Sequence, residues 1–169
     1  VSMGTGTFVV YAEKGKVTEY LGGTGVGGGS LLGLSRLILG MDNIKHIEKM
    51  ASTGDLSKID LRVRDISNTE LFSDMPRDMT AANFGKVSDI ATKSDIALGI
   101  YNMVFETIAM VSLFAARSKN TKDIILTGNL TTMEMCTRLF PQLSTMFNIN
   151  YAIPQNAQFA TVIGAALQA

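Results

Sequence analysis

The sequence predicts an α/β domain, and three features of its order carry that prediction. A β-branched and aromatic run, Thr7 to Glu13, reads as a strand, and Lys14-Gly15-Lys16 reads as the turn that follows it. A glycine-rich stretch over residues 22–30 then leads into apolar residues at helical spacing. The last third alternates helix, strand, helix, strand, helix, an order that calls for parallel strands joined by helical crossovers.

The elements follow in turn. Val17 to Leu21 is the return strand of a hairpin. Leu31, Leu32, Leu34, Leu37 and Ile38 mark the first helix. Asp42 is the expected cap of a second helix through Ile44, Ile47 and Met50, stopped near Gly54. Residues 55–93 are the most polar third and have too few apolar side chains for a core of their own, so they read as an insertion. Within them residues 59–66 alternate, and Pro76 precedes a stretch, residues 80–86, expected to enter a helix. A long helix runs from Ser94 to about Ser118, a short apolar strand from Asp123 to Thr127 ends at Gly128-Asn129, and a helix spans about 131–146. Tyr151 and Ile153 mark the last strand, and Ala157 to Leu167 the last helix.

Composition narrows the function classes. Of 169 residues 46% are hydrophobic and 18% charged, which supports a sizeable core and excludes global disorder. Fifteen basic side chains balance fifteen acidic ones, so neither nucleic acid nor an anionic membrane is an expected main partner. One cysteine makes no internal disulfide, and with one histidine it cannot build a zinc site of the usual nitrogen and sulfur kind. Residues 1–7 lack the basic and apolar regions of a signal peptide. A glycine-rich turn within four residues of Val1 leads us to expect a chain that starts inside a strand, a piece of a longer protein. Ile96 to Ala116 reaches the length of a membrane span with Glu106 as its only charge. Asn102 and Glu106 share a face one turn apart, a costly arrangement in lipid, and we read a buried core or interface helix.

Two segments suit phosphate. In Gly4-Thr5-Gly6-Thr7 the glycines permit tight backbone geometry, so that N–H groups and threonine hydroxyls can converge on anionic oxygens. Gly27-Gly28-Gly29-Ser30 opens a helix, where free N–H groups and the positive dipole end are presented. For either one alone, a flexible turn is an equal reading; two of them flanking one hairpin favour phosphate. Gly23, Gly25 and Gly28 satisfy G-x-G-x-x-G, but residues 43–53 read helical where a dinucleotide fold needs a strand ending in an acid. Gly29-Ser30 also lacks the lysine of a P-loop. Thr127-Gly128-Asn129, at the carboxyl end of a strand, is either a nucleoside-facing loop or an ordinary turn capped by Asn129.

Taken together, Ser2-x-Gly4-Thr5-Gly6-Thr7, a short hairpin and the glycine run through Ser30 resemble the bacterial type II pantothenate kinases. So do residues 59–66, residues 80–85 and Ile163-Gly164-Ala165-Ala166-Leu167, in order along nearly the whole chain. That family belongs to the acetate and sugar kinase, heat-shock protein and actin superfamily. The resemblance implies a ribonuclease H-like lobe of the actin-like ATPase fold, with a mixed sheet, helices on both faces and an interface helix at about 94–118. Residues 1–169 would be the C-terminal lobe, with a polar insertion at about 55–93 and the N-terminal lobe absent. It implies ATP contacts at Gly4, Thr5, Gly6 and Thr7, at Gly28, Gly29, Ser30, Leu31 and Leu32, and at Ile44 and Asn129. It further implies Mg²⁺, pantothenate as substrate, a homodimer and a cytoplasmic location.

This chain departs from the family at Tyr20, where family members carry an arginine that contacts substrate, and a phenol lacks the forked donors of a guanidinium. The family's acidic base and its Asp-x-Gly-Gly-Thr loop have no counterpart here, so no catalytic residue is assigned in this chain. Asp60, Asp65, Glu70 and Glu106 are not promoted to that role. Asp60 and Asp65 read as partners of Arg62 or Arg64 in a surface loop, Glu106 as a satisfied contact of a helix pair, His46 as a solvated surface residue and Cys136 as core. The expected activity is ATP-dependent phosphorylation of pantothenate to 4′-phosphopantothenate, the first step towards coenzyme A. Its alternatives are a nucleotide-dependent conformational switch or a kinase for another small alcohol on the same fold. A purely structural module would have no use for so many entropically costly glycines.

Overall fold

The computed structural model describes residues 1–67 and 76–168. In chain order the elements are β1 (Ser2–Met3), β2 (Thr7–Tyr11), β3 (Glu19–Thr24), α1 (Gly28–Leu34), α2 (Ile44–Ala51), β4 (Leu61–Arg62), α3 (Val63–Ile66) and β5 (Thr80–Ala82). There follow α4 (Lys93–Ser118), β6 (Asp123–Ile125), α5 (Glu134–Phe147), β7 (Asn150–Ala152) and α6 (Ala160–Ala166). They form two compact units, residues 1–33 with 104–169, and residues 34–103.

The first unit is built on a mixed sheet. β1, β2 and β3 form an antiparallel meander, and β6 pairs with β7 in parallel as the alternating tail requires. A parallel bridge between Ser2 and Thr127 joins the two. Its bonds run from the Val1 amine to Ile125 O, from Thr127 N to Val1 O and from Met3 N to Thr127 O, each 2.8 Å. The strand order is therefore β3-β2-β1-β6-β7, with β2 alone running against the rest. The second half of α4 supplies Phe105, whose ring meets Phe140 of α5 edge-on at 6.0 Å. Phe140 in turn contacts Tyr151 of β7 at 4.9 Å, and the Tyr151 hydroxyl donates to Ala109 O at 3.0 Å. Phe105 and Phe140, with Ile108, Leu113, Ile124, Leu126 and Cys136, belong to the buried core, and Tyr151 is half-buried beside them.

The second unit has its own core of Leu39, Ile47, Ala51, Ile59, Ala97, Ile100 and Tyr101. The described residues of the polar stretch 55–93 lie inside it, and helices from both sides supply most of its apolar side chains. Fully buried Asp60 organises the unit. Its carboxylate accepts from Phe84 N and from Asn102 Nδ2, both at 2.9 Å. Burial pushes the Asp60 carboxyl above its usual range, and the Phe84 and Asn102 hydrogen bonds work against that rise.

Several expectations are corrected here. Asp60 is not a surface partner of Arg62 or Arg64; Arg64 pairs with Asp78 at 2.7 Å, and Asp65 takes Lys86 at 3.2 Å. Asn43, not Asp42, caps α2, because its side chain reaches the N–H groups of Lys45 and His46. Asp42 lies 3.5 Å from Arg36 instead. Residues 80–86 enter no helix: they form β5 and a turn in which Asp60 holds Phe84 at φ 57°. The return strand starts at Glu19 and runs on into the glycines as far as Thr24. A 3₁₀ turn over Asn129–Thr132 precedes α5. His46 is exposed and Cys136 buried, as read from sequence. Glu70 lies outside the described residues. α4 is long and apolar enough to cross a membrane, and most of its apolar window is buried in the protein.

Candidate functional site

β1 and β6 are parallel neighbours, so their carboxyl ends open at the same edge of the sheet. Gly4–Gly6 follows β1 there, and Thr127–Asn129 follows β6. The start of α1 packs onto the first of these turns. Gly28 N donates to Gly4 O and Gly29 N to Thr5 O, both at 2.8 Å, and a β-carbon on Gly28 would lie 3.4 Å from Leu130 Cδ2. Gly128, at φ +92°, sits against the Met3 backbone and donates to Ala157 O at 2.9 Å. Three segments picked out in the sequence thus meet in one place.

The meeting is closer than a phosphate cradle alone would need. At Gly27 a β-carbon would stand 2.7 Å from Thr5 O and 2.8 Å from Gly6 Cα. The glycines let two turns touch through their backbones, which is a packing reason for their being there. It also consumes donors. The N–H groups of Gly28 and Gly29 are already paired, the Thr7 hydroxyl donates to Val26 O at 2.9 Å, and Ser30 Oγ donates to Gly25 O at 3.1 Å. No described residue accepts from the N–H groups of Thr5, Gly6, Gly25, Gly27, Ser30, Asn129 or Leu130. Those donors, with the exposed Thr5 side chain, are what the locus can offer an anion. Segments 4–7, 24–30 and 127–132 carry no charged side chain, so its field comes from backbone dipoles.

The remaining candidates are spread more widely. Leu31 is fully buried in the core, and Leu32 is half-buried one position on. Asn129 is exposed, and its carbonyl accepts from the Thr132 hydroxyl at 2.8 Å. Ile44 belongs to the other unit, where it opens α2 half-buried and its carbonyl accepts from the Tyr101 hydroxyl at 3.3 Å. Tyr20 stands 68% exposed on β3 opposite Val10. Among the described residues no group of three His, Cys, Asp or Glu side chains could hold a metal ion. The sequence did not reveal the Gly4–Gly28 and Thr5–Gly29 bonds, because no residue pattern marks which amides a turn will spend internally.

The Fumble family model matches residues 1–159. The type II pantothenate kinase of Oceanobacillus iheyensis is 35% identical over 170 residues, covering 99% of this chain and 63% of the relative. That of Bacillus thuringiensis subsp. konkukian is 34% identical over 131 residues, covering 76% of this chain and 47% of the relative. The chain therefore spans between about half and two-thirds the length of the curated relatives it matches. With nearly all of its residues covered by one family model, the chain belongs to the Fumble family, alongside relatives named type II pantothenate kinase.

Proposed function

We propose that the protein carrying this chain transfers the γ-phosphoryl group of ATP to the primary hydroxyl of pantothenate, giving 4′-phosphopantothenate on the way to coenzyme A. The observation that carries the reading is the meeting of the 4–7, 27–30 and 127–130 segments beyond parallel β1 and β6, with backbone donors left over, those of Thr5, Gly6 and Ser30 among them. The names of the relatives supply the substrate. Phosphoryl transfer asks little covalent chemistry of a protein and much positioning and charge stabilisation. In this reading Thr5 and Gly6, turned by Gly4, hold phosphate oxygens on their N–H groups. Ser30 adds the free amide at the start of α1, and Gly28 and Gly29 fix the two turns against one another. Asn129 lies beside the nucleoside. The mixed sheet with helical crossovers supports an actin-like ATPase lobe, whose homodimer we place on the Met110 and Phe114 flank of α4.

Mg²⁺ bound with ATP would supply charge neutralisation at the phosphates. The glycine segments contain no carboxylate, so they do not fit a protein-held Mg²⁺.

The test is ADP release by the complete protein with ATP, Mg²⁺ and pantothenate. Release should rise with pantothenate and yield phosphopantothenate; ATP hydrolysis indifferent to pantothenate would overturn the reading. Tyr20→Ala should raise the KM for pantothenate and leave that for ATP unchanged. An unchanged pantothenate KM would remove Tyr20 from the substrate site.

A further inference from the structure

The ribbon of β2 and β3 begins at the Gly4–Gly6 turn and has two unlike faces. On β2, Thr7 and Val9 are buried while Phe8 and Val10 are exposed, so alternation sets Phe8 and Val10 on an outer face. Strand pairing carries that face sideways. Ser2 and Gly23 lie opposite Phe8, and Tyr20 lies opposite Val10. Tyr20 owes its place to a bulge. Val9 pairs with Gly22 and Val10 with Tyr20, so Leu21 is an extra residue on β3. In a regular ladder Tyr20 would fall opposite Tyr11, on the inner face.

The bulge makes two aromatic side chains diagonal neighbours on one open surface, Phe8 at 45% exposure and Tyr20 at 68%. Diagonal positions of a ribbon are within reach of aromatic rings. Gly23 places no side chain beside the Phe8 ring, and a β-carbon there would run into Thr7 O. The strip next to the ring is therefore floored by backbone. Charge belongs to the other face. Glu19 stands opposite Tyr11, and Lys119 engages both, 2.6 Å from the Glu19 carboxylate and 5.4 Å from the centre of the Tyr11 ring. None of Ser2, Phe8, Val10, Tyr20 and Gly23 carries a charge.

We propose that this outer face, through Phe8 and Tyr20, holds the apolar body of the acceptor alcohol and favours an acceptor that is uncharged beyond that body. The inference rests on the kinase reading and adds to it a ground for choosing among acceptors. Phe8 is two residues past Gly6, whose N–H holds phosphate in that reading, so the face starts where the hydroxyl must approach. In-line transfer places the alcohol opposite the leaving oxygen, away from the nucleoside beside Asn129. Pantothenate carries two methyl groups near its primary hydroxyl, and these suit the Phe8 ring. Its carboxylate, at the far end, meets the Tyr20 phenol and no cation of this face, so a neutral group there is held better.

The test is an NMR titration of the 169-residue chain, with ATP present, against pantothenate and against its ethyl ester. The ester should bind about fivefold or more tighter and shift the ring signals of Phe8 and Tyr20. Phe8→Ala should weaken the ester by about tenfold. Tyr20→Arg should reverse the order in favour of the acid, which a merely structural role of this position would not do. Both side chains stand at the surface, so the fold tolerates either change. Equal or tighter binding of the acid by the parent chain, or Phe8 and Tyr20 rings that ignore both acceptors, would overturn the proposal. So would ring signals that move with ATP alone, since the face would then belong to the nucleotide. Failure of the kinase reading shows separately, as Thr5 and Gly6 amide signals that do not respond to ATP.

Discussion

At Gly27 and Gly29 the same added methyl group meets different neighbours, and the two substitutions should separate packing from binding. On Gly27 it would meet backbone, Thr5 O at 2.7 Å and Gly6 Cα at 2.8 Å, which cannot give way without moving a turn. Gly27→Ala should therefore destabilise the chain by about 1–3 kcal/mol, read as a lower unfolding midpoint. On Gly29 the nearest atom is Thr5 Cγ2 at 2.9 Å, the end of a side chain that can rotate, with Thr5 O behind it at 3.0 Å. Gly29→Ala should lower the midpoint less than Gly27→Ala does and weaken ATP binding by about tenfold through the displaced Thr5, as titration calorimetry would register. A Gly29→Ala protein with unaltered ATP affinity would remove this turn from the phosphate site. Ser35 gives a third test. It is fully buried, and its hydroxyl has no hydrogen-bond partner among the described residues. Ser35→Ala should raise stability by about 1 kcal/mol in a denaturant titration, because a desolvated, unpaired hydroxyl is removed. That the glycines matter was legible in the sequence. Which of their amides are spent on each other was not, since that follows from how close two turns approach.

Among the elements, α4 is the one whose start was legible and overlooked. Thr92-x-x-Asp95 has the spacing of a capping box. The Thr92 N–H donates to Asp95 Oδ2 at 2.7 Å, and Asp95 N reaches back to Thr92 Oγ1 at 3.3 Å. Asp95 also accepts from Asp55 N at 2.7 Å and lies 3.7 Å from Lys58 Nζ. The Thr92 backbone bond leads the causes that hold its carboxyl down at about 2, against an ordinary 3.8. Between those values the unfolded chain binds more protons than the folded one, so acid removes the contribution that Asp95 makes above pH 3.8. Asp95→Asn should cost about 1–2 kcal/mol at neutral pH, and its deficit against the parent should shrink as pH falls from 3.8 towards 2. Asp60 shifts the other way, its stabilising protonated form being lost as pH rises through its raised value, but it is common to both proteins and cancels in the comparison. A deficit constant with pH would mean that shape rather than charge caps the helix. Strands and helices with strong periodicity were read correctly; residues 80–86 were not. Their path is set by the buried carboxylate of Asp60, a contact across 24 positions that no local pattern announces.

Taken whole, the chain offers backbone donors at its glycine turns and no acid or base side chain within those turns. The segments around the glycine turns contain no carboxylate, imidazole or amine. The most buried carboxylate, Asp60, is committed to Phe84 N and Asn102 in the unit of residues 34–103. A general base must lie within hydrogen-bond reach of the hydroxyl it deprotonates, and no side chain of the 4–7, 24–30 or 127–132 segments meets that condition. We therefore expect the 169-residue chain by itself to bind ATP but to release no ADP in response to pantothenate. Calorimetry and a coupled ADP assay on the same preparation would check both halves. Binding with no turnover in this chain, and turnover in a full-length relative assayed beside it, is the expected pair. Pantothenate-dependent turnover by the chain alone would place a base among its own carboxylates and make Asp60 the first to substitute. Failure to bind ATP would instead count against the glycine turns, and with them the nucleotide reading of their unpaired amides.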